Sequence, residues 1–152
     1  MIRKAVESDI PVCVEMTRDF CKINGYQDHI PFDEETVKEW MAVGIQQGML
    51  SVAVKDNEVV GFVLGVISPS IVNKDILVGC ELAWWMQPEH RGGRLGIQLL
   101  KHIEVSAKEN GAKIWSMMCL EALEPDKVER MYMKLGYKKS ERTSIKVFQE
   151  NN

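Results

Sequence analysis

The sequence predicts a single-domain α/β protein, and three observations support that prediction. The chain has 152 residues, enough for one domain with a substantial core. Segments rich in strand-forming residues alternate with segments whose apolar residues recur at helical spacing. Near the middle, residues 78–98 read as a buried strand, a glycine-rich turn and the opening of a helix. We therefore expect one α/β domain over residues 1–152.

Composition excludes several classes of protein. Apolar residues make up 45% and charged residues 27% of the chain, which is ordinary for a globular protein. A net charge of −3 disfavours a nucleic-acid partner, which usually needs a basic face. No apolar run approaches the ~20 residues of a membrane-spanning helix, and the opening residues do not resemble a signal peptide. We therefore expect no membrane partner.

The cysteines point to a reducing compartment. Cys13, Cys21, Cys80 and Cys119 form no Cys-x-x-Cys pair, so neither a metal site nor a disulfide is expected. We predict buried, reduced thiols in a cytoplasmic protein.

The order of the elements follows from caps, turns and periodicity. Ser8 or Asp9, and later Asp33, can cap helices with a side-chain oxygen, and Gly111 can end one. Residues 55–58 are typical of a hairpin turn. The pattern predicts, in order, a strand at Ile2–Val6, a helix to Asn24, a helix after Asp33, strands at Met49–Val54 and Val59–Ile67, a turn at Ser68–Asp75, the central strand Ile76–Met86, a helix at Leu95–Asn110, a strand at Lys113–Met118, a helix at Asp126–Leu135 and a strand at Lys138–Phe148. Trp40 and Trp115 are expected in the core.

The turn Arg91–Gly96 has the features of an anion site. Glycines let the backbone approach a ligand closely, and the following helix exposes N–H groups at the positive end of its dipole. A plain tight turn is one alternative. A nucleoside-triphosphate loop lacks its Gly-Lys-Ser/Thr here, and the glycine spacing of a dinucleotide fingerprint is absent. The remaining interpretation is a site that binds a pyrophosphate through backbone amides and arginine, without a metal.

Two motifs carry a resemblance to a known family. Pro88–Gly96 resembles the acetyl-CoA pyrophosphate loop of the GCN5-related N-acetyltransferases (GNAT), Arg/Gln-x-x-Gly-x-Gly/Ala, although Arg94 replaces the middle glycine. Val128–Tyr137 resembles the family's Ala-x-x-Leu-Tyr-x-Lys-x-Gly-Phe signature, with Tyr132 as its tyrosine. Pro125 stands where many members have a cofactor-contacting Asn. The chain is also similar to small acetyltransferase-like proteins of bacteriophages.

The resemblance implies a fold and a co-substrate. The fold would be the GNAT acyl-CoA N-acyltransferase fold: a mixed, mostly antiparallel central sheet, flanked by helices, whose two central parallel strands splay apart. Acetyl-CoA would be the co-substrate, no metal would be needed, and a homodimer would be common. Its pyrophosphate and pantetheine would contact Trp85, Met86, Arg91, Gly92, Gly93, Arg94, Leu95 and Gly96.

Acyl transfer to an amine also needs groups that handle protons. Glu81 lies in an apolar strand, where partial burial would raise its pKa toward the range useful for a base; the alternative is a carboxylate facing water or paired with a cation. Tyr132 would be the acid that protonates the thiolate, or else a packed aromatic. His29 and Trp84 are the candidates for binding the acceptor, while His90 and His102 are expected to be solvated.

The sequence therefore predicts an acetyl-CoA-dependent N-acetyltransferase acting on a primary amine of a small molecule or peptide. The alternative is a regulatory module that binds acyl-CoA with the same fold but has lost turnover. The identity of the acceptor is not encoded in any motif.

Overall fold

A five-stranded sheet with helices on both faces forms the protein. The structure is a computed structural model that describes residues 1–149. The strands are β1 (Ile2–Lys4), β2 (Leu50–Lys55), β3 (Glu58–Ser70), β4 (Asn73–Met86) and β5 (Ala112–Ser116), and the helices are α1 (Ile10–Asn24), α2 (Glu34–Gln46), α3 (Arg94–Glu109) and α4 (Pro125–Lys134). Strand order follows the chain, β1-β2-β3-β4-β5. Only β4 and β5 are parallel, which confirms a mixed, mostly antiparallel sheet.

Strand alternation divides the core into two clusters. Leu50, Val52 and Phe62 pack on one face with residues of α1 and α2. Met49, Ala53 and Val63 pack on the other face with residues of α3. Because successive side chains of a strand point to opposite faces, apolar runs such as β2 and β3 supply both clusters. The helices therefore cover the sheet on both sides.

The predicted helix signals are mostly confirmed. Pro11 lies in the first turn of α1, and Gly25 ends that helix with a φ of 75°. The Asp33 carboxylate accepts a hydrogen bond from the Glu35 N–H at the start of α2, which satisfies one of the free donors there.

The turn predicted at Ser68–Asp75 is wrong in extent. β3 continues to Ser70 and β4 begins at Asn73, with Pro69 paired to Leu77. Serine, proline and asparagine indicate a loop when read locally. Here they lie in an exposed extension of the hairpin, so the reversal is confined to Ile71 and Val72.

The strand predicted at Lys138–Phe148 is not observed, since residues 137–149 contain no helix or strand. Local alternation of Ile145 and Val147 produced the prediction. A strand also requires a partner, and both side chains are exposed, at 70% and 44%. These side chains therefore lack the burial that would fix the pairing register of a strand.

The two tryptophans predicted for the core differ. Trp115 is half-buried and packs against the second cluster. Trp40 is 47% exposed, so its prediction is wrong. In α2, Met41 and Gly44 take the buried positions. Trp40 is adjacent to Met41 in sequence and therefore lies about 100° away from it around the helix axis.

β4 and β5 separate toward the middle of β4. Their pairing runs only from Leu77–Ala112 to Cys80–Ser116, while β4 continues to Met86. The second half of β4 therefore has β3 as its only strand neighbour within residues 1–149, as the predicted splay of the two parallel strands requires. Of these two strands only β4 is central, because β5 lies at the edge of the described sheet. Across the part of the chain that the structure describes, no helix combines the length and the apolarity needed to cross a membrane.

Candidate acetyl-CoA and catalytic site

The Arg91–Gly96 turn joins the end of β4 to the start of α3. A short 3-10 turn at Pro88–His90 follows β4, and α3 begins at Arg94 with Gly93 as its N-cap. Glycine has no side chain with which to cap, and no acidic residue lies in the first helical turn. The first N–H groups of α3 are thus left for a ligand, and the helix dipole favours an anion there.

Gly92 has a backbone conformation that requires glycine. Its φ is 75°, in the left-handed region that is costly for residues with a Cβ. An added Cβ at Gly92 or Gly93 would meet no atom within 4 Å. The surface above the turn is therefore open to a ligand.

The Arg91 side chain is anchored to the end of β4. Its Nε donates to the Met86 carbonyl at 2.9 Å, and its guanidinium carbon lies 4.3 Å from the centre of the Trp85 ring. Trp85 itself is buried and meets Phe20 edge to face, with ring centres 6.4 Å apart. Arg91 thus anchors the turn to the sheet through both a hydrogen bond and a cation–π contact.

Arg94 is placed differently. It is the first residue of α3, is exposed, and is not among the non-glycine residues with positive φ. The replacement of the family's glycine by arginine is therefore free of backbone strain. The N–H of Arg94 keeps its place in the first helical turn, and its guanidinium is an added cation at the same position.

Glu81, Met118 and Tyr132 form a connected cluster beside the point where β4 and β5 part. The Met118 N–H donates to Glu81 Oε2 at 3.1 Å. The Tyr132 hydroxyl donates to the Met118 carbonyl at 2.8 Å. Glu81 and Tyr132 are each only 4% exposed. The backbone of one residue, Met118 in the segment after β5, therefore connects the predicted base on β4 with the predicted acid on α4.

A β-bulge decides which way Glu81 faces. Leu64 pairs with Ala83 and Gly65 with Glu81, so Leu82 is an extra residue in β4. Leu82 and Ala83 both pack on the first core cluster, which interrupts the alternation of the strand. Glu81 consequently shares a face with Trp84 instead of with Trp85. Simple alternation along the sequence would place it on the opposite face.

Burial controls the proton affinities in this cluster. Desolvation raises the pKa of Glu81 to about 7, and the hydrogen bond from Met118 opposes that rise. A carboxylate with this pKa can act as a base near neutral pH. Burial first, and then the nearby Glu81 carboxylate, raise the pKa of Tyr132. Its phenol therefore stays protonated near neutral pH, and it gives up that proton less readily than an exposed tyrosine would.

The two predicted acceptor-binding residues are not brought together. The Trp84 ring packs on the α3 side, with its centre 6.2 Å from that of Tyr132, and Trp84 Cζ2 lies 3.5 Å from where a Cβ of Gly96 would be. His29 is exposed in the connection between α1 and α2. These two helices pack on the other face of the sheet. Trp84 therefore borders the glycine turn, whereas His29 borders the α1–α2 side.

Two further residues differ from the sequence-based expectation. His102 is half-buried, and its Nδ1 lies 2.9 Å from the hydroxyl of the fully buried Ser51, so it is not simply solvated. The sequence gives no signal for the part that Met118 plays in this cluster, because Met118 contributes its backbone N–H and C=O. No side-chain motif reports such a contact.

The matched family identifies the protein as an acyltransferase. The family model for the acetyltransferase (GNAT) domain matches residues 46–139, which include β2 through α4. The chain belongs to the GNAT acetyltransferase family. Membership of this family classes it with the acetyl-CoA-dependent N-acetyltransferases.

Solved structures share the fold at low sequence identity. A predicted acetyltransferase with acetyl-CoA from Clostridium acetobutylicum is 18% identical, with a TM-score of 0.72 over 100% of this chain and 95% of that one. A ribosomal-protein-alanine N-acetyltransferase from Brucella melitensis is 14% identical, with a TM-score of 0.71 over 98% and 99%. An aminoglycoside acetyltransferase from an uncultured soil metagenomic sample is 14% identical, with a TM-score of 0.72 over 99% and 96%.

No curated protein sequence matches the chain significantly. The resemblance to bacteriophage proteins finds no support among these similarities. At such identities, the structural likeness establishes the fold alone.

Proposed function

We propose that the protein transfers the acetyl group of acetyl-CoA to a primary amine, with Glu81 as the base and Tyr132 as the acid. The observation that carries this proposal is the position of Glu81: a buried carboxyl with a pKa raised to about 7, where the parallel strands part. Acetyl-CoA would supply a thioester that is activated toward amines. No metal is needed for this chemistry.

The residues that would hold acetyl-CoA are those of the glycine turn and the end of β4. The N–H groups of Arg94, Leu95 and Gly96 open α3 and suit the pyrophosphate. Gly92 and Gly93 leave room for it. The backbone of Trp85 and Met86, and the gap beyond the last β4–β5 pair, suit pantetheine. Arg91 supports this surface by holding the turn, and Arg94 adds a cation.

The chemical step forms a C–N bond and breaks a C–S bond. Glu81 would take a proton from the attacking ammonium or amine, directly or through a water molecule, so that nitrogen presents its lone pair. A backbone N–H near Trp85 or Met86 would donate to the developing oxyanion. Tyr132 would then protonate the leaving thiolate. Since a thiol has a pKa of about 8.5, this protonation contributes less than positioning does.

The acceptor is proposed to be an amine of a small molecule or a peptide. Family members act on both kinds, as the names of the aminoglycoside and ribosomal-protein acetyltransferases state. Trp84, beside the glycine turn, and His29, in the α1–α2 connection, are the proposed contacts. The cytoplasmic location and the homodimer stay predictions.

A thiol-release assay over a panel of amines tests the proposal. With acetyl-CoA present, at least one aminoglycoside, polyamine or peptide amine should release free CoA thiol. Tyr132→Phe should lower turnover while leaving the affinity for acetyl-CoA within a few-fold. Glu58→Gln, at an exposed hairpin position, serves as the control. Calorimetric binding of acetyl-CoA without release on any amine would instead favour the regulatory module.

A further inference from the structure

The backbone of Met118 is held at its N–H and at its C=O by two residues that the proposed mechanism uses. Its N–H donates to Glu81 Oε2 at 3.1 Å, and its C=O accepts from the Tyr132 hydroxyl at 2.8 Å. Met118 itself lies in a segment without helix or strand, between β5 and α4. Its direction therefore depends on these two bonds more than on a regular ladder.

We propose that Tyr132 is a positioning residue for Glu81, acting through the backbone of Met118, in addition to its proposed part as an acid. The inference deepens the proposed function and rests on it for the role of Glu81. The Met118 N–H and C=O lie in two successive peptide planes that meet at the Met118 Cα. By fixing the carbonyl, Tyr132 restrains the residue as a whole and so keeps its N–H within reach of Oε2. Since Oε2 accepts this bond, Oε1 is left as the oxygen that would take the proton from the acceptor.

The packing around Tyr132 makes it suited to this task. Its ring is held between Trp84 and Tyr137, with ring centres 6.2 and 5.2 Å away. A buried side chain with aromatic neighbours on its ring has little rotamer freedom. Its hydroxyl is consequently a fixed point on α4, against which the segment after β5 is located. A hydroxyl bound to a carbonyl is also not free to protonate a thiolate until that bond opens.

The hydrogen bond from Met118 matters for proton transfer because it favours the charged carboxylate. The titratable groups close enough for the Glu81 carboxylate to raise their pKa values are Cys80 on β4, Cys119 after β5 and Tyr132 on α4. Burial raises the pKa of all three groups, to about 11 for Cys119. They stay neutral while Glu81 titrates, so the Met118 N–H is the specific contact that counters the effect of burial.

The test is a direct titration of Glu81 in the full chain. The carboxyl carbon of Glu81, labelled with ¹³C and assigned by its loss in Glu81→Gln, is followed by NMR against pH. In Tyr132→Phe the Met118 N–H should lose its alignment, and the pKa of Glu81 should rise by about half a unit to one unit. The amide proton of Met118 should also exchange faster with solvent.

The matched control is Tyr137→Phe, which removes a neighbouring hydroxyl that donates to Glu104 at 2.6 Å and not to Met118. It should leave the Glu81 titration and the Met118 exchange as they are in the wild type. Equal Glu81 titrations in the wild type and Tyr132→Phe would overturn the proposal, as would equal shifts in both phenylalanine variants.

Kinetics separate this role from that of an acid. A positioning role moves the acidic limb of the kcat/KM profile of Tyr132→Phe upward in pH, in step with the NMR titration. A lower kcat with an unmoved acidic limb would overturn positioning and leave only the acid. An NMR shift in a protein that releases no thiol with any amine would support the coupling while refuting the proposed function.

Discussion

The guanidinium of Arg91 lies 4.3 Å from the centre of the Trp85 ring, and Arg91 Nε donates to the carbonyl of the next residue, Met86. Arg91 and Arg94 are both exposed. Arg91, which matches the family motif, is tied to the sheet by these two contacts, while Arg94 lies in the first turn of α3. The two arginines therefore have different tasks. One shapes the turn, and the other adds charge to it.

Arg91→Ala should reduce both stability and acetyl-CoA affinity. It removes the bond to Met86 and the contact with Trp85, which together contribute about 1–2 kcal/mol to the free energy of unfolding. Affinity should fall because the turn loses its anchor. Denaturant unfolding and calorimetry measure the two effects. Arg94→Ala is the matched control for stability and should unfold like the wild type; an equal loss of stability in both variants would contradict the division of tasks.

Arg94 should contribute to cofactor binding as an added ligand for phosphate. Arg94→Ala is expected to weaken acetyl-CoA binding by about 1–3 kcal/mol, the range for hydrogen bonds to charged groups. The loss should shrink at high salt, because exposed charges are screened. Arg94→Gly restores the family's residue and should lose similar affinity. Calorimetry at low and high salt measures this, and binding by Arg94→Gly as tight as that of the wild type would show that Arg94 is no ligand.

Glu81 should make stability depend on pH. Its pKa in the folded state, about 7, lies above its ordinary value of 4.5, so the native state holds a proton that the unfolded state releases. Stability is therefore greatest below pH 4.5 as far as this group is concerned, and it falls as pH rises to about 7. The full loss amounts to at most about 3 kcal/mol.

Urea unfolding at pH 5 and pH 8 measures that slope. In Glu81→Gln the difference in stability between the two pH values should shrink by most of this amount, whereas Glu58→Gln, exposed at the start of β3, should keep it. An unchanged pH dependence in Glu81→Gln would show that Glu81 titrates normally in the folded protein.

The sequence predicts more of the fold than of the catalytic geometry. Caps such as Asp33 and Gly25 act within one helical turn, so local patterns suffice for the helices. The end of the β3–β4 hairpin and the missing C-terminal strand depend on pairing partners that are distant in sequence or absent. Local residue types cannot report on these.

The site shows the same limit. The glycine turn is a contiguous motif, and it lies where its residues predict. The face of the sheet on which the Glu81 side chain lies depends on the extra residue Leu82. Leu82 is an ordinary apolar strand residue, so the sequence gives no sign of the bulge. The link through Met118 uses only backbone atoms. Both features require the register of β4 against β3 and the path of the chain after β5.

Thermal unfolding with acetyl-CoA, compared with ATP, tests the central claim most directly. If the glycine turn binds a pyrophosphate that carries pantetheine, acetyl-CoA at a hundredfold excess over its Kd should raise the Tm by roughly 5–10 °C. ATP should raise the Tm much less, and Mg²⁺ should have no effect on the acetyl-CoA shift. A shift with ATP equal to that with acetyl-CoA, a shift that requires Mg²⁺, or no shift with acetyl-CoA would contradict the assignment of this site.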